Sequence, residues 1–170
     1  MEQNFFKTDA AILLSDQDYY KFMMNKIENA RKCIYASIFI INIFEDKKLK
    51  IRKLLEKISY AKWKGVDTKV IIGHSQKNKI IDLYDRVSFE YLKKSVPVKY
   101  ANPDDDYSLH SKYVVIDDEI SVIGSHNWEH DAFFKNKEDS VAVYSQDIAI
   151  ELKHEFIKLW ETGLEDVSWK

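Results

Sequence analysis

The stretch LHSKYVVIDDEISVIGSHNW, residues 109–128, contains the pattern that decides the fold. Two runs rich in β-branched residues, 109–116 and 120–123, flank a polar Asp-Asp-Glu triplet. Such runs around a short polar turn predict two antiparallel strands joined by a tight hairpin. Because side chains alternate along a strand, His110 and Lys112 are expected to point to the same face.

Helical and extended patterns alternate along most of the remaining chain. Strands are predicted over residues 11–14, 33–44, 68–72, 96–100 and 140–144, and helices over residues 49–64, 79–94 and 147–160, with a further helix starting after Asp16. The alternation followed by a hairpin predicts an α/β fold, a three-layer α/β/α sandwich with a mixed β-sheet. The whole chain, residues 1–170, is expected to form one domain.

Composition limits the class of protein. Apolar residues make up 45% of the 170 positions and charged residues 32%, with only four Gly and two Pro, which is typical of a compact folded chain. The single cysteine, Cys33, excludes an internal disulfide and is expected to be a buried thiol. The first nine residues contain no secretory signal, and the apolar run 33–44 is too short to span a bilayer. A cytoplasmic protein without membrane insertion is therefore expected.

The pairing of an imidazole with an ammonium group suggests phosphodiester chemistry. A ring nitrogen of His110 can attack phosphorus, and the Lys112 cation can offset charge on the phosphoryl oxygens. The histidines at positions 74 and 154 have no lysine two positions later, so the chain contains one such pair.

Two motifs together resemble those of the phospholipase D superfamily. Residues His110, Lys112 and Asp117 fit H-x-K-x4-D, and Gly124 to Asn127 fits the downstream G-S-x-N. The resemblance is to the small, single-motif, homodimeric bacterial nuclease branch and extends over most of the chain. It implies two displacements, in which one histidine forms a phosphohistidine and a second protonates the leaving oxygen and then activates water.

The resemblance also implies a homodimer and a set of site residues. One His110 cannot be nucleophile and acid at once, so His110 of each of two copies is expected to face the other across a twofold axis. Lys112 and Asn127 are expected to bind the phosphoryl oxygens. Glu138 is expected to contact the catalytic imidazole and fix its tautomer, and Glu129 is the alternative for that contact.

Four further residues are expected to support the site. Asp117 lies an odd number of residues from His110, so a regular strand turns it to the other face and a structural role is expected. Gly124 and Ser125 are interpreted as turn-shaping residues. Trp128 is expected either to wall the pocket or to pack in the core.

The substrate is left open between nucleic acid and lipid. A metal-independent nuclease of DNA or RNA without a cofactor is the preferred hypothesis, and a phospholipid phosphodiesterase or a catalytically weak scaffold is the alternative. The net charge of −2 gives little support to nucleic acid, but basic residues cluster between positions 47 and 64. That cluster is interpreted as the solvated face of a helix, with a basic stripe flanking the site as the alternative.

Three patterns suggest metal sites and are interpreted as accidental. Residues 126–130 read H-x-x-E-H, which zinc peptidases carry on a long helix, whereas here the motif follows a strand and a turn. The aspartates at positions 104–106 are expected to lie in a solvated loop. Asp104 with Glu151 and Lys153 only weakly resembles the motif of metal-dependent restriction nucleases. No metal ligand is therefore expected.

Overall fold

The computed structural model describes residues 5–46, 48–74, 78–102 and 109–166, and within them seven strands form one sheet. The strands are β1 (Ala10–Ser15), β2 (Cys33–Ile38), β3 (Asp67–Ile72), β4 (Val98–Tyr100), β5 (Lys112–Ile116), β6 (Ile120–Gly124) and β7 (Asp139–Tyr144). The helices are α1 (Gln17–Asn29), α2 (Lys50–Trp63), α3 (Lys79–Leu92), α4 (His130–Phe134) and α5 (Gln146–Thr162).

The sheet is mixed, in the order β1-β7-β6-β5-β2-β3-β4. Strands β2, β3 and β4 run parallel, with α2 and α3 as crossovers, and β5, β6, β7 and β1 pair antiparallel. The predicted β5–β6 hairpin is present, with Asp117 and Asp118 in left-handed conformations at φ 57° and 56°. Aspartate tolerates this region because its short polar side chain bonds locally.

Helices cover both faces of the sheet, but unequally. The larger core lies beneath α1, α2, α3 and α4, and includes Met23, Leu54 and Phe133. On the other face α5 packs Ala149 and Phe156 against the sheet. The predicted three-layer α/β/α sandwich with a mixed sheet is thus confirmed. None of the helices in the described ranges is long and apolar enough to cross a bilayer.

Three strands are shorter than the sequence pattern predicts, and β4 differs least, because it begins at Val98 rather than at residue 96. Strand β2 ends at Ile38, and the following apolar segment leaves the sheet because α3 supplies its hydrogen bonds. Ser88 Oγ donates to Ile41 O at 2.6 Å, and Asp85 Oδ1 accepts from Ile41 N at 3.1 Å. Strand β5 begins at Lys112, so the expectation that His110 lies within the strand is wrong. The acidic loop at residues 103–108 lies outside the described residues.

Candidate active site

The motif residues gather at one edge of the sheet, which we call the motif edge. The antiparallel register places Lys112, at the start of β5, opposite Ile38, at the end of β2. Gly124, at the end of β6, pairs with Ser140 of β7, and Ser15 of β1 pairs with Asp139. Strand starts and strand ends therefore meet at this edge, and the loops that carry His110, Asn127 and Glu138 all leave from it.

His110 and Lys112 are in direct contact. Lys112 Nζ lies 3.2 Å from His110 Nδ1 and 3.4 Å from Nε2, and it donates to His110 O at 2.8 Å. The Phe39 ring lies 4.7 Å from the His110 ring and 4.9 Å from Lys112 Nζ. Phe39 can pack against the end of β3 because Gly73 has no side chain. A Cβ at position 73 would lie 2.3 Å from Phe39 O. No sequence pattern marked Phe39, which lies within the apolar run predicted as a strand.

The Lys112 ammonium group is half-buried and feels the charge of two carboxylates. Burial lowers the pKa of Lys112, and the negative charges of Glu138 and Glu129 partly offset that effect. His110 is exposed beside it. The arrangement offers an accessible imidazole and a partly desolvated cation, which together can bind and attack a phosphoryl group.

Glu138 is held by its neighbours rather than by the imidazole. Ser125 Oγ donates a short hydrogen bond to Glu138 Oε2, and Asn136 Nδ2 donates to Oε1 at 3.3 Å. Ser125 Oγ also accepts from Asp139 N at 3.1 Å. The tautomer-fixing hydrogen bond between Glu138 and His110 is not formed among these described residues. Ser125 therefore orients a carboxylate that acts on Lys112 through its charge.

Asn127 is paired with Glu129. Asn127 Nδ2 donates to Glu129 Oε1 at 3.4 Å, while the buried Oδ1 has no hydrogen-bond partner in the described part of the chain. Burial raises the pKa of Glu129, and the charges of Asp131 and Glu138 add to it. Glu129 is thus the acidic residue that contacts Asn127 and also acts electrostatically on Lys112.

Trp128 packs in the core and does not wall the pocket. Its side chain is fully buried, and Nε1 donates to Tyr19 Oη at 3.0 Å. Its backbone N–H donates to Ile40 O at 2.9 Å, and its carbonyl accepts from Asn42 N at 2.9 Å. The tryptophan therefore fixes the backbone on which Asn127 sits and ties it to the segment after β2.

Asp117 lies at the opposite edge of the sheet from His110, since it follows the far end of β5. Its carboxylate accepts from the backbone N–H groups of Arg31, Lys32 and Cys33 at 2.7–3.2 Å. These bonds tie the hairpin to the start of β2. They account for Asp117 without a contact to the motif edge.

Gly124 permits a close approach of two strands rather than a sharp turn. A Cβ there would lie 2.0 Å from Ser140 Oγ and 2.4 Å from Ser140 Cα. Its φ is not in the left-handed region. The turn-shaping interpretation is corrected accordingly: a side chain at Gly124 would push β6 away from β7, where Glu138 is presented.

The H-x-x-E-H pattern does not form a metal site. His126 is fully buried and stacks on Tyr19, with ring centroids 4.2 Å apart. Its Nδ1 bonds Ser140 Oγ at 2.8 Å and its Nε2 bonds Asp16 O at 3.1 Å. Among the described residues no group of three or more His, Cys, Asp or Glu could hold a metal ion. The aspartates 104–106 lie outside the described residues.

A polar cavity of about 350 Å³ adjoins Glu129. It is lined by Asn42, Glu45, Lys48, Glu129, His130, Asp131 and Lys135. Each described residue of this lining is polar or charged, and three of them are acidic, so the cavity suits a polar group better than an acyl chain.

Comparison with known proteins identifies the family. The model of the family described as "Cardiolipin synthase, PLD-like domain" matches residues 23–160, so the chain belongs to this family of the phospholipase D superfamily. Cardiolipin synthase from Staphylococcus aureus strain Mu50 is 30% identical over 136 residues, which is 79% of this chain and 25% of that protein. The chain thus spans about a quarter of the length of the curated relatives it matches.

Two solved structures share the fold over nearly their full length. Nuc, a phospholipase D family member from Salmonella typhimurium, superposes with a TM-score of 0.74 and 17% identity, covering 94% of this chain and 100% of that one. NucT from Helicobacter pylori gives a TM-score of 0.72 and 20% identity, covering 91% and 98%. At these identities the likeness is one of fold.

Proposed function

We propose that this phospholipase D-like phosphodiesterase is a metal-independent nuclease that cleaves DNA or RNA. The observation that carries the proposal is the Lys112 ammonium group 3.2 Å from Nδ1 of an exposed His110. Asn127 and two carboxylates stand at the same edge of the sheet, and no cofactor is required for the roles assigned to them.

The proposed reaction has two displacements. A ring nitrogen of His110 forms a bond to phosphorus while the bond to the leaving oxygen breaks, and a second histidine protonates that oxygen. The second histidine then removes a proton from water, the water oxygen bonds to phosphorus, and the N–P bond breaks. Lys112 and Asn127 hold the phosphoryl oxygens throughout, so Lys112 Nζ moves from the imidazole toward the substrate when it binds.

The second histidine comes from a second copy of the chain in this proposal. The sequence contains one H-x-K motif, and His110 is exposed at the rim of the fold, where another copy can approach it. A twofold axis between two motif edges supplies both imidazoles. Residues 1–170 are proposed to act as a single catalytic domain in the cytoplasm.

A phospholipid phosphodiesterase is the alternative, and the matches to cardiolipin synthases favour it. The described side chains that line the cavity beside Glu129 are polar or charged, which favours a polar substrate group there over an acyl chain.

The test is an assay with single-stranded DNA, duplex DNA, RNA and phosphatidylcholine or phosphatidylglycerol vesicles in excess EDTA. We expect nucleic acid cleavage by the native protein and a loss of at least about 10³-fold in His110→Ala. His154→Ala is the matched control, because His154 is an exposed histidine on α5, and it should retain full activity. Headgroup release with intact nucleic acid would overturn the nuclease and establish the lipid alternative.

The dimer is tested separately by sedimentation and by mixing. Equal amounts of native and His110→Ala chains are unfolded and refolded together. The mixture should be less active than the same amount of native chain refolded alone, because mixed dimers lack one imidazole. A monomer with full activity would refute the shared site.

A further inference from the structure

The outer ridge of α2 carries an exposed aromatic pair. Tyr60 is 54% exposed and Trp63 is 79% exposed. Their rings stack with centroids 5.5 Å apart and an interplanar angle of 22°. Lys64 Nζ lies 5.1 Å above the Tyr60 ring. We call Tyr60, Trp63 and the neighbouring Lys53, Lys57 and Lys64 the α2 platform.

The platform lies in the most basic stretch of an acidic protein. Residues 48–64 contain seven Lys or Arg against one Glu, a net +6, whereas the whole chain carries −2, so all other residues sum to −8. Part of this charge is paired within the protein, as in Lys57 with Glu28 at 2.8 Å. Charge segregated onto one helix in this way attracts a polyanion.

The direction of α2 links the platform to the motif edge. The helix joins the end of β2 to the start of the parallel strand β3, so it runs from the motif edge toward the opposite edge. Lys48, just before the helix, lines the same cavity as Glu129. The 14 residues of α2 rise by about 20 Å. At about 3.4 Å per stacked nucleotide, that length corresponds to roughly six phosphates.

We propose that the α2 platform is an auxiliary binding site for single-stranded nucleic acid, in which bases stack on Trp63 and Tyr60 and lysines track the phosphates. Exposed aromatic faces set among cations are the means by which proteins bind single strands without sequence preference. The inference rests on the proposed nuclease function and specifies the form of its substrate. A strand held there extends along α2 and delivers its other end to His110.

A membrane surface fits this helix less well. A helix that lies in a bilayer interface inserts an apolar face among the lipids. In α2 that face is already in the core, where Ile51, Leu54, Leu55 and Ile58 are fully buried. Only the two aromatic rings remain for an outside partner.

Binding is tested with a fluorescent 12-nucleotide oligo-dT, the same length of duplex, and vesicles of anionic phospholipid. We expect Trp63→Ala to weaken oligo-dT binding at least about fivefold and Tyr60→Ala to weaken it similarly, since each loses a stacked base. Phe5→Ala is the matched control because Phe5 is an exposed aromatic residue, 92% accessible, and it should leave binding unchanged. The platform would be overturned if Trp63→Ala bound oligo-dT as tightly as the native protein does. It would also be overturned if the native protein bound the vesicles and not oligo-dT.

Turnover separates this inference from the proposed function. Trp63→Ala should raise KM for a 30-nucleotide single strand at unchanged kcat, and should hydrolyse the small diester bis(4-nitrophenyl) phosphate at the native rate. Native cleavage of the single strand with identical KM in Trp63→Ala would refute the platform alone. If the native protein cleaved no nucleic acid but Trp63→Ala still weakened oligo-dT binding, the nuclease proposal would be refuted and the platform would stand.

Discussion

Asp117 belongs to the H-x-K-x4-D motif, yet its contacts predict a stability defect rather than a catalytic one. Its carboxylate accepts three backbone N–H groups at the start of β2 and lies at the edge of the sheet away from His110. Asp117→Asn keeps the left-handed backbone conformation that the turn requires, because asparagine also tolerates it. The substitution therefore removes the charge without adding backbone strain.

The size of the effect follows from those bonds. A charge-assisted hydrogen bond is about twice as strong as a neutral one, and a neutral one contributes about 1 kcal/mol. In Asp117→Asn the hydrogen bonds from the three N–H donors lose their charge assistance, and two of these donors lie at the surface. We expect the free energy of unfolding to fall by about 2 kcal/mol in total. For a chain of this length that corresponds to a fall in Tm of about 4–8 °C.

Thermal unfolding and turnover are measured on the same preparation. We expect Asp117→Asn to lower Tm by that amount and to keep kcat within about threefold of native at 20 °C. Glu119→Gln is the matched control: it removes a charge from the same turn, and the Glu119 side chain makes no hydrogen bond among the described residues, so its Tm should match native. An Asp117→Asn protein with native Tm and a thousandfold lower kcat would refute a structural role for this carboxylate.

Three further predictions follow from the packing of buried residues. Gly124→Ala should lower the free energy of unfolding by about 3 kcal/mol, measured by urea titration, because its Cβ would overlap Ser140. Gly65→Ala is the comparison: its Cβ would lie in open space, and its φ of 95° should cost about 1 kcal/mol. Equal losses in the two variants would contradict the close approach of β6 and β7. Burial raises the pKa of the Asp85 carboxyl to about 9. Between about pH 4 and pH 9 this group is therefore protonated in the folded protein and ionised in the unfolded one. The free energy of unfolding should fall as the pH rises through that window. Asp85→Asn stays neutral, so its Tm relative to native should rise from pH 5 to pH 8.5, and a constant difference would refute the buried neutral acid. Burial raises the pKa of the Cys33 thiol to about 11, so it should react with a disulfide reagent at pH 7.5 only after denaturation, and rapid native labelling would contradict its placement.

The sequence predicted those parts of the fold that depend on local patterns. The hairpin, the alternation of helices and strands, and the full burial of β2 follow from periodicity and turn residues close together in the chain. The larger errors, at the end of β2 and the start of β5, concern residues whose conformation is set from a distance. The segment after β2 is held by Ser88 and Asp85 on α3, about 45 positions away, and by the backbone of Trp128, and no local pattern marks those contacts.

The candidate site shows the same division. The spacing of His110 and Lys112 indicated their proximity, although the strand that was expected to create it begins only at Lys112. The contacts of Phe39 with both residues could not be predicted, because an aromatic residue after a strand carries no functional signal. The roles of Asn127, Glu138 and their neighbours in catalysis stay predictions.

The pairing of β1 with β7 has a consequence for folding during synthesis. Ser15 and Asp139, which are hydrogen-bonded in this pair, are 124 residues apart. At a translation rate of about 5–20 residues per second, β1 waits roughly 6–25 seconds before its partner emerges from the ribosome. During that interval the backbone of β1 stays unpaired and Leu14, which the folded protein buries, stays in solvent. We therefore expect a chaperone to bind nascent chains that are stalled before residue 139.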